Sequence, residues 1–350
     1  MAELTAAIIL AAGKGTRIKS EIPKVLLPMC GRSLVGHVND AVLGAGSEHT
    51  VFVVRHERDR VAAHIEQINP DALIADQDDI KGTGRAAWCG LQALPADLEG
   101  SVLVIAGDSP MFSAASLTKL AEAHESGDNA VTVLSTILED PTGYGRIKRD
   151  AAGPDEVAGN AGATGSVIGI VEHADASDNQ LGIHEVGTST YIFDIAFLRE
   201  ILETLGTDNA QGEVYLTDAI EAAHTSGRGV GSFVLEDGME ASGVNTLVQL
   251  AELRVEKNRR ILETWMLQGV AITDPTTTYV DVDVRLEPDA VVEPGTILRG
   301  GTHVAAFAVV GPYSQLTNVS VGERAQVPHT VANDVDIAAD EKVAPFSVLG

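Results

Sequence analysis

Cysteine is scarce in this chain. Of 350 residues only Cys30 and Cys89 are cysteines, and neither stands in a C-x-x-C or other metal-ligand spacing, so thiolate metal sites are excluded. Both thiols are expected to be reduced and structural. Positive charge is in short supply too: 24 Lys and Arg face 50 Asp and Glu, a formal net charge of −26. The summed field of such a chain repels nucleic acid and anionic membrane, which excludes both as partners, and an anionic small molecule needs cations gathered locally. The acidic excess itself reads as a solubility trait or an adaptation to salt. Long apolar runs are missing as well. No stretch approaches the roughly 20 residues that span a bilayer. The first apolar run, at 6–12, is too short for a signal peptide and lacks its basic start. The cytoplasm is the expected compartment.

With 45% hydrophobic and 21% charged residues, the chain can bury a large core, and its length suits two domains. Strand-like runs at 6–12, 50–54, 102–106, 130–134, 188–193 and 230–235 alternate with helical stretches, an α/β pattern. In open α/β sheets ligands sit beyond the carboxyl ends of strands. Two motifs fall there: G-K-G-T-R at 13–17, after the first run, and G-D-S-P at 107–110, after the third. A glycine turn of the first kind aims successive backbone N–H groups at an oxyanion, and Arg17 and Lys24 add two cations one loop apart. That combination points to a nucleoside triphosphate. The segment at 150–166, rich in Gly and Ala without periodicity, reads as a long mobile loop beside substrate-binding residues.

Leu247, Leu250, Leu253, Ile261, Leu262, Trp265 and Met266 fall on one face of an amphipathic helix, taken as a connector over 247–269. Beyond it, apolar residues recur every six positions at Leu286, Val292, Leu298, Val304, Val310 and Leu316. Small residues keep the same period at Ala290, Thr296, Thr302, Ala308, Ser314 and Ser320. Two phased series at one period are the hexapeptide signature of a parallel β-helix, about three or four coils in this length. The phase slips at Val321, Val327, Ile337, Val343 and Leu349. The expected domains are therefore 1–246, the connecting helix 247–269, and a β-helix over 270–350.

Eight strings occur in a fixed order: L-A-A-G-K-G-T-R (10–17), P-K-V-L (23–26), Q-D-D-I-K-G-T-G (77–84), G-D-S-P (107–110), D-P-T-G-Y-G-R-I (140–147), I-V-E-H-A-D-A (170–176), N-A-Q-G-E-V-Y-L-T-D (209–218) and G-V-N (243–245). Followed by hexapeptide repeats, they resemble the bacterial bifunctional N-acetylglucosamine-1-phosphate uridylyltransferase family over the whole chain. The resemblance implies an α/β fold: a Rossmann-like nucleotidyltransferase (sugar-nucleotide pyrophosphorylase) domain followed by a short left-handed parallel β-helix. It also implies UTP and a sugar 1-phosphate as substrates, Mg²⁺ as cofactor and a homotrimer formed through the β-helix.

A sugar 1-phosphate is already an anionic nucleophile, so its attack on the α-phosphorus needs positioning and charge neutralisation more than a general base. Arg17, with a planar fork suited to phosphate, and Lys24, a point charge at the α-phosphoryl group, are the expected catalytic cations. By resemblance, Leu10, Ala11, Ala12, Gly13 and Gly15 line the nucleotide, and Gln77, Gly82 and Thr83 form the uracil-recognition loop. A Gln amide can pair with the donor and acceptor of a uracil edge. Asp108 and Asn245 are the implied metal ligands. On the sugar side the resemblance implies a backbone N–H of Gly145 on the acetamido group and Glu172 on a sugar hydroxyl, with Gly187 and Thr188 alongside.

Three departures stand out. Where the family has an Asn that contacts the sugar, this chain has Gly187, a lost polar contact for which Thr188 could partly compensate. The 150–166 segment is longer than the usual connection. The repeats stop at Gly350, ahead of the part that carries acetyl transfer in the family, so acetyltransferase activity is expected to be absent. Two other readings remain open: the same chemistry on another sugar or nucleotide, and a non-catalytic nucleotide-sugar sensor or scaffold.

Overall fold

The computed structural model describes residues 4–150 and 165–350. Most of the stretch expected as a long loop at 150–166 thus lies outside the described residues. The chain divides into two units, Met1–Leu27 with Leu34–Asn245, and Pro28–Ser33 with Thr246–Gly350. Among the described residues no helix is long and apolar enough to cross a membrane.

In chain order the strands up to residue 235 are β1 (Ala6–Leu10), β2 (Pro28–Met29), β3 (Arg32–Ser33), β4 (His49–Val54), β5 (Leu73–Asp76), β6 (Ser101–Ala106), β7 (Val131–Ile137), β8 (Arg146–Arg149), β9 (Val167–Val171), β10 (Glu185–Asp194) and β11 (Val230–Leu235). The helices are α1 (Leu34–Gly44), α2 (Arg58–Ile68), α3 (Thr83–Ala93), α4 (Ala114–Ser126), α5 (Asp178–Leu181), α6 (Ile195–Leu202), α7 (Asp218–Thr225) and α8 (Leu247–Leu267). In the first unit one sheet runs β11-β7-β10-β6-β1-β4-β5, with the β8–β9 hairpin attached through β10. β1 pairs in parallel with β4 and β6, whereas β10 runs antiparallel to both β6 and β7. Strand alternation divides the core. Ala6, Ile8, Val51, Val53, Val102 and Val104 pack on one face, and Ala7, Ile9, Phe52, Val54, Leu103 and Ile105 on the other. That two-sided burial explains why these strands read as unbroken apolar runs rather than alternating ones.

In the second unit α8 starts with a capping box, Thr246 accepting from the Gln249 N–H and Gln249 reaching back. Its buried Asn258 donates to the Thr278 carbonyl at 2.8 Å and accepts from the Val280 N–H at 3.0 Å, which pins the helix to the first coil. The remainder is a left-handed parallel β-helix of three sheets. Its registers advance by 18 residues at Tyr279↔Ile297 and Ile297↔Gln315, then by 16 at Gln315↔Val331 and 17 at Val331↔Val348. These shortened coils are the phase slip seen in the sequence. Leu286, Val292, Leu298, Val304, Val310 and Leu316 are all buried, as are Ala290, Thr296, Thr302, Ala308 and Ser314. Ser320 departs from the expected series and is exposed, because the shortened coil puts Val319 in the buried slot.

Candidate active site

The loops that leave the carboxyl ends of neighbouring strands are tied to one another by backbone bonds. Gly107 N–H donates to Leu10 O at 2.9 Å, Ala11 N–H to Val53 O at 2.8 Å and Gln77 N–H to Val54 O at 2.9 Å. Three motifs far apart in sequence are thereby held at one sheet edge. After β1 the chain passes Ala12 and the exposed Gly13, turns at Gly15 and is anchored by the buried Ile18. Gly15 has a φ of +61°, and a Cβ there would lie 2.9 Å from Lys24 Cβ, so the turn requires glycine where it meets the Lys24 segment. Lys24 opens a short 3-10 turn, Lys24–Leu26, whose Val25 is buried and fixes the direction of the ammonium.

Four predicted residues meet here. The Lys24 ammonium pairs with Asp108 Oδ2 and lies 3.5 Å from Asn245 Oδ1, and Arg17 Nη2 donates to the same Asn245 oxygen at 2.8 Å. Asn245 is delivered by a backbone bond of the residue before it, Val244 N–H to Asp108 O at 3.0 Å. Asp108 Oδ2 and Asn245 Oδ1 are therefore two hard oxygen donors already arranged about one cation. One carboxylate and one amide oxygen, to be completed by phosphate oxygens and water, is a donor set that fits Mg²⁺.

The 77–83 turn is held internally. Gln77 Nε2 donates to Ile80 O at 3.1 Å and Gly82 O at 3.4 Å, and the Thr83 hydroxyl accepts from Leu216 N–H at 3.1 Å. Gly82 has φ 116° and ψ 157°, and a Cβ there would meet Val214 O at 2.1 Å. This glycine is demanded twice, by conformation and by the close approach of the 213–216 backbone. Arg85 braces the same turn, its guanidinium 4.0 Å above the Trp88 ring and its Nε donating to Asp78 at 2.9 Å.

Of the residues expected at the sugar, Gly145 stands just before β8, Glu172 just after β9 and Gly187 within β10. Gly187 N–H donates to Gly145 O at 3.0 Å. A Cβ on Gly145 would lie 2.8 Å from Ile170 Cγ2 and 3.4 Å from Glu172 Oε2, and one on Gly187 would lie 3.0 Å from Ile170 Cδ1. Gly145 and Gly187 thus both lie against Ile170, with the Glu172 carboxyl beside Gly145. Thr188 does not join them: it is buried, and its hydroxyl donates to Leu134 O at 2.9 Å, because successive residues of a strand point to opposite faces. Burial, with the charges of Asp218 and Asp175, pushes the Glu172 carboxyl up, and the Thr217 hydroxyl, donating at 3.1 Å, opposes this. Burial and then the Asp108 charge push the Tyr144 phenol up. Sequence reasoning passed over Thr217, Tyr144 and Arg146, although all three stand inside the quoted motifs.

An open α/β sheet that gathers two cations, a carboxylate and an amide oxygen beyond its strand ends defines a nucleotidyltransferase domain, and the family described as MobA-like NTP transferase domain matches residues 7–168. Full-length comparison is more specific. The chain is 50% identical over 344 residues to the bifunctional protein GlmU of Kineococcus radiotolerans, covering 98% of this chain and 67% of that protein. It is 48% identical over 358 residues to the same-named protein of Micrococcus luteus, covering 99% and 70% respectively. The chain belongs to the GlmU family.

Proposed function

We propose that this protein makes UDP-N-acetylglucosamine and pyrophosphate from UTP and N-acetylglucosamine 1-phosphate, in a Mg²⁺-dependent reaction. The observation that carries the reading is the convergence of Arg17, Lys24, Asp108 and Asn245 on one another at the sheet edge. In a chain of net charge −26, two cations held that close mark a place built for a polyanion.

In this reading a phosphate oxygen of the sugar attacks the α-phosphorus of UTP, and the bond to the bridging oxygen breaks, releasing pyrophosphate. Arg17 holds the outer phosphates with its planar fork. Lys24 places its charge where it builds up in the transition state, which is worth most when the donor is positioned beforehand. Asp108 and Asn245 would hold Mg²⁺, which when bound supplies further positive charge to the phosphate oxygens. Leu10, Ala11, Ala12, Gly13 and Gly15 line the nucleotide, and Gln77, Gly82 and Thr83 lie at its base. Gly145 N–H meets the acetamido carbonyl, and Glu172 accepts from a sugar hydroxyl.

Gly187 supports a second reading. The wall beside Gly145 presents the Ile170 methyl groups where a polar side chain would otherwise reach the sugar, which favours a substrate that needs no hydrogen bond there. We also propose a homotrimer assembled through the β-helix and a cytoplasmic location. Pyrophosphate release with Mg²⁺, across UTP, dTTP, CTP and GTP against the 1-phosphates of N-acetylglucosamine, glucose, galactose and glucosamine, tests the function. UTP with N-acetylglucosamine 1-phosphate is expected to dominate and Asp108→Ala to abolish release. Dominance of another pair selects the second reading, and silence across the grid overturns both.

A further inference from the structure

The largest fully buried side chain among the described residues is a charged one, Arg146, only 2% exposed. It opens β8, inside the hairpin system, opposite Val186 on one side and Val171 on the other. Its Nη1 donates to the Tyr144 carbonyl, while its Nε has no acceptor among the described residues. Asp140 is the charge that offsets its burial, and burial prevails, holding the guanidinium below its ordinary range. Burying a cation without a carboxylate in contact is costly, and an apolar side chain of similar volume would pack the same space without that cost.

The bond it does make has a consequence one residue away. Tyr144 C=O and Gly145 N–H belong to the same peptide unit, and in a planar trans peptide they point in opposite directions. A guanidinium that holds the oxygen therefore dictates where the N–H points. Gly145 N–H has no backbone acceptor among the described residues, whereas its own carbonyl is taken by Gly187 N–H at 3.0 Å. Charge on the carbonyl oxygen also draws electron density along the amide, which makes the N–H a stronger donor.

We infer that Arg146 is a positioning residue that, through the Tyr144 carbonyl, aims and polarises the Gly145 N–H for the acyl carbonyl of the substrate. This rests on the reading that Gly145 meets the acetamido group. The test compares kcat/KM for N-acetylglucosamine 1-phosphate with that for glucose 1-phosphate, both with UTP and Mg²⁺, in the full chain and its Arg146→Met and Arg146→Lys variants. In Arg146→Met the preference for the acetylated sugar is expected to fall about tenfold, through KM, with the KM for UTP unchanged. Lysine keeps the charge but not the fork, and should lose about threefold. Equal losses on both sugars, a raised KM for UTP, or a wild-type preference in either folded variant overturns the inference. Should the methionine variant fail to fold, the lysine variant decides. A wild-type protein with no preference for the acetylated sugar overturns the reading of Gly145 and the inference together.

Discussion

Placing a side chain at Gly187 is the sharpest test of the proposed sugar pocket. Gly187→Asn requires no unusual backbone, since Gly187 is not among the residues with positive φ. Its Cβ would lie 3.0 Å from Ile170 Cδ1 and 3.7 Å from Ile147 Cδ1, so the end of a flexible side chain must give by a few tenths of an ångström. Such overpacking costs about 1 kcal/mol, against roughly 0.5–1 kcal/mol recovered by removing a glycine from mid-strand, so stability should hardly change. If the amide reaches the sugar, the new hydrogen bond is worth about 0.5–1.5 kcal/mol net. The packing cost is borne by free and bound protein alike, so about 1 kcal/mol goes into binding, roughly a fivefold lower KM for N-acetylglucosamine 1-phosphate. The KM for UTP should not move. Steady-state pyrophosphate release gives both constants, and Gly187→Asn with Ile170→Val, which removes the clashing methyl, should show a larger gain than Gly187→Asn alone. An unchanged or higher KM for the acetylated sugar in the double variant refutes the placement of Gly187 against the sugar.

Glu172→Gln should separate stability from activity. The folded carboxyl titrates above its ordinary value, so the folded state keeps its proton when the unfolded chain has already lost it. The stability this lends is full below the unfolded pKa, near 4.5, and is lost as pH rises through the folded value. In urea denaturation the variant should match the wild type at acid pH and exceed it at neutral pH, while its KM for the sugar phosphate rises; a variant less stable at neutral pH contradicts the assignment. Gly82→Ala combines a glycine-only conformation with a Cβ 2.1 Å from Val214 O. Strain and overpacking, each about 1–3 kcal/mol, should lower Tm by about 5–15 °C. A shift under 2 °C on a calorimeter would show that the 213–216 segment yields freely.

Much of the fold was legible in the residues. The run at 102–106 lies within β6, because a strand buried on both faces carries its own apolar signal, and the run at 230–235 coincides with β11, an edge strand that is only partly buried. β5 escaped notice: Leu73 and Asp76 are exposed and only Ala75 is buried, as befits the sheet edge, where the apolar pattern is weakest. β8 also escaped, since R-I-K-R has one apolar residue in four and buries an arginine. Charged residues in a strand carry no periodicity signal when their burial depends on a carbonyl elsewhere. The β2–β3 hairpin was invisible for a different reason. P-M-C-G-R-S continues the Lys24 motif in sequence yet belongs to the second unit, where Val282 N–H donates to Cys30 O at 3.0 Å.

Local chemistry alone determined which elements form and which side chains carry charge: glycines that end a strand, a proline and lysine that open a turn, a six-residue apolar period that stacks into coils. Those properties act over one to six residues and are written in them. Which groups meet was decided by the tertiary structure. Asn245 reaches Arg17 across 228 positions, and Thr188 turns away from Gly145 while Gly187 faces it, because pairing register and strand alternation are set by the whole sheet. A sequence can show that a cation, a carboxylate and an amide are present; only packing brings the two oxygens to one ammonium.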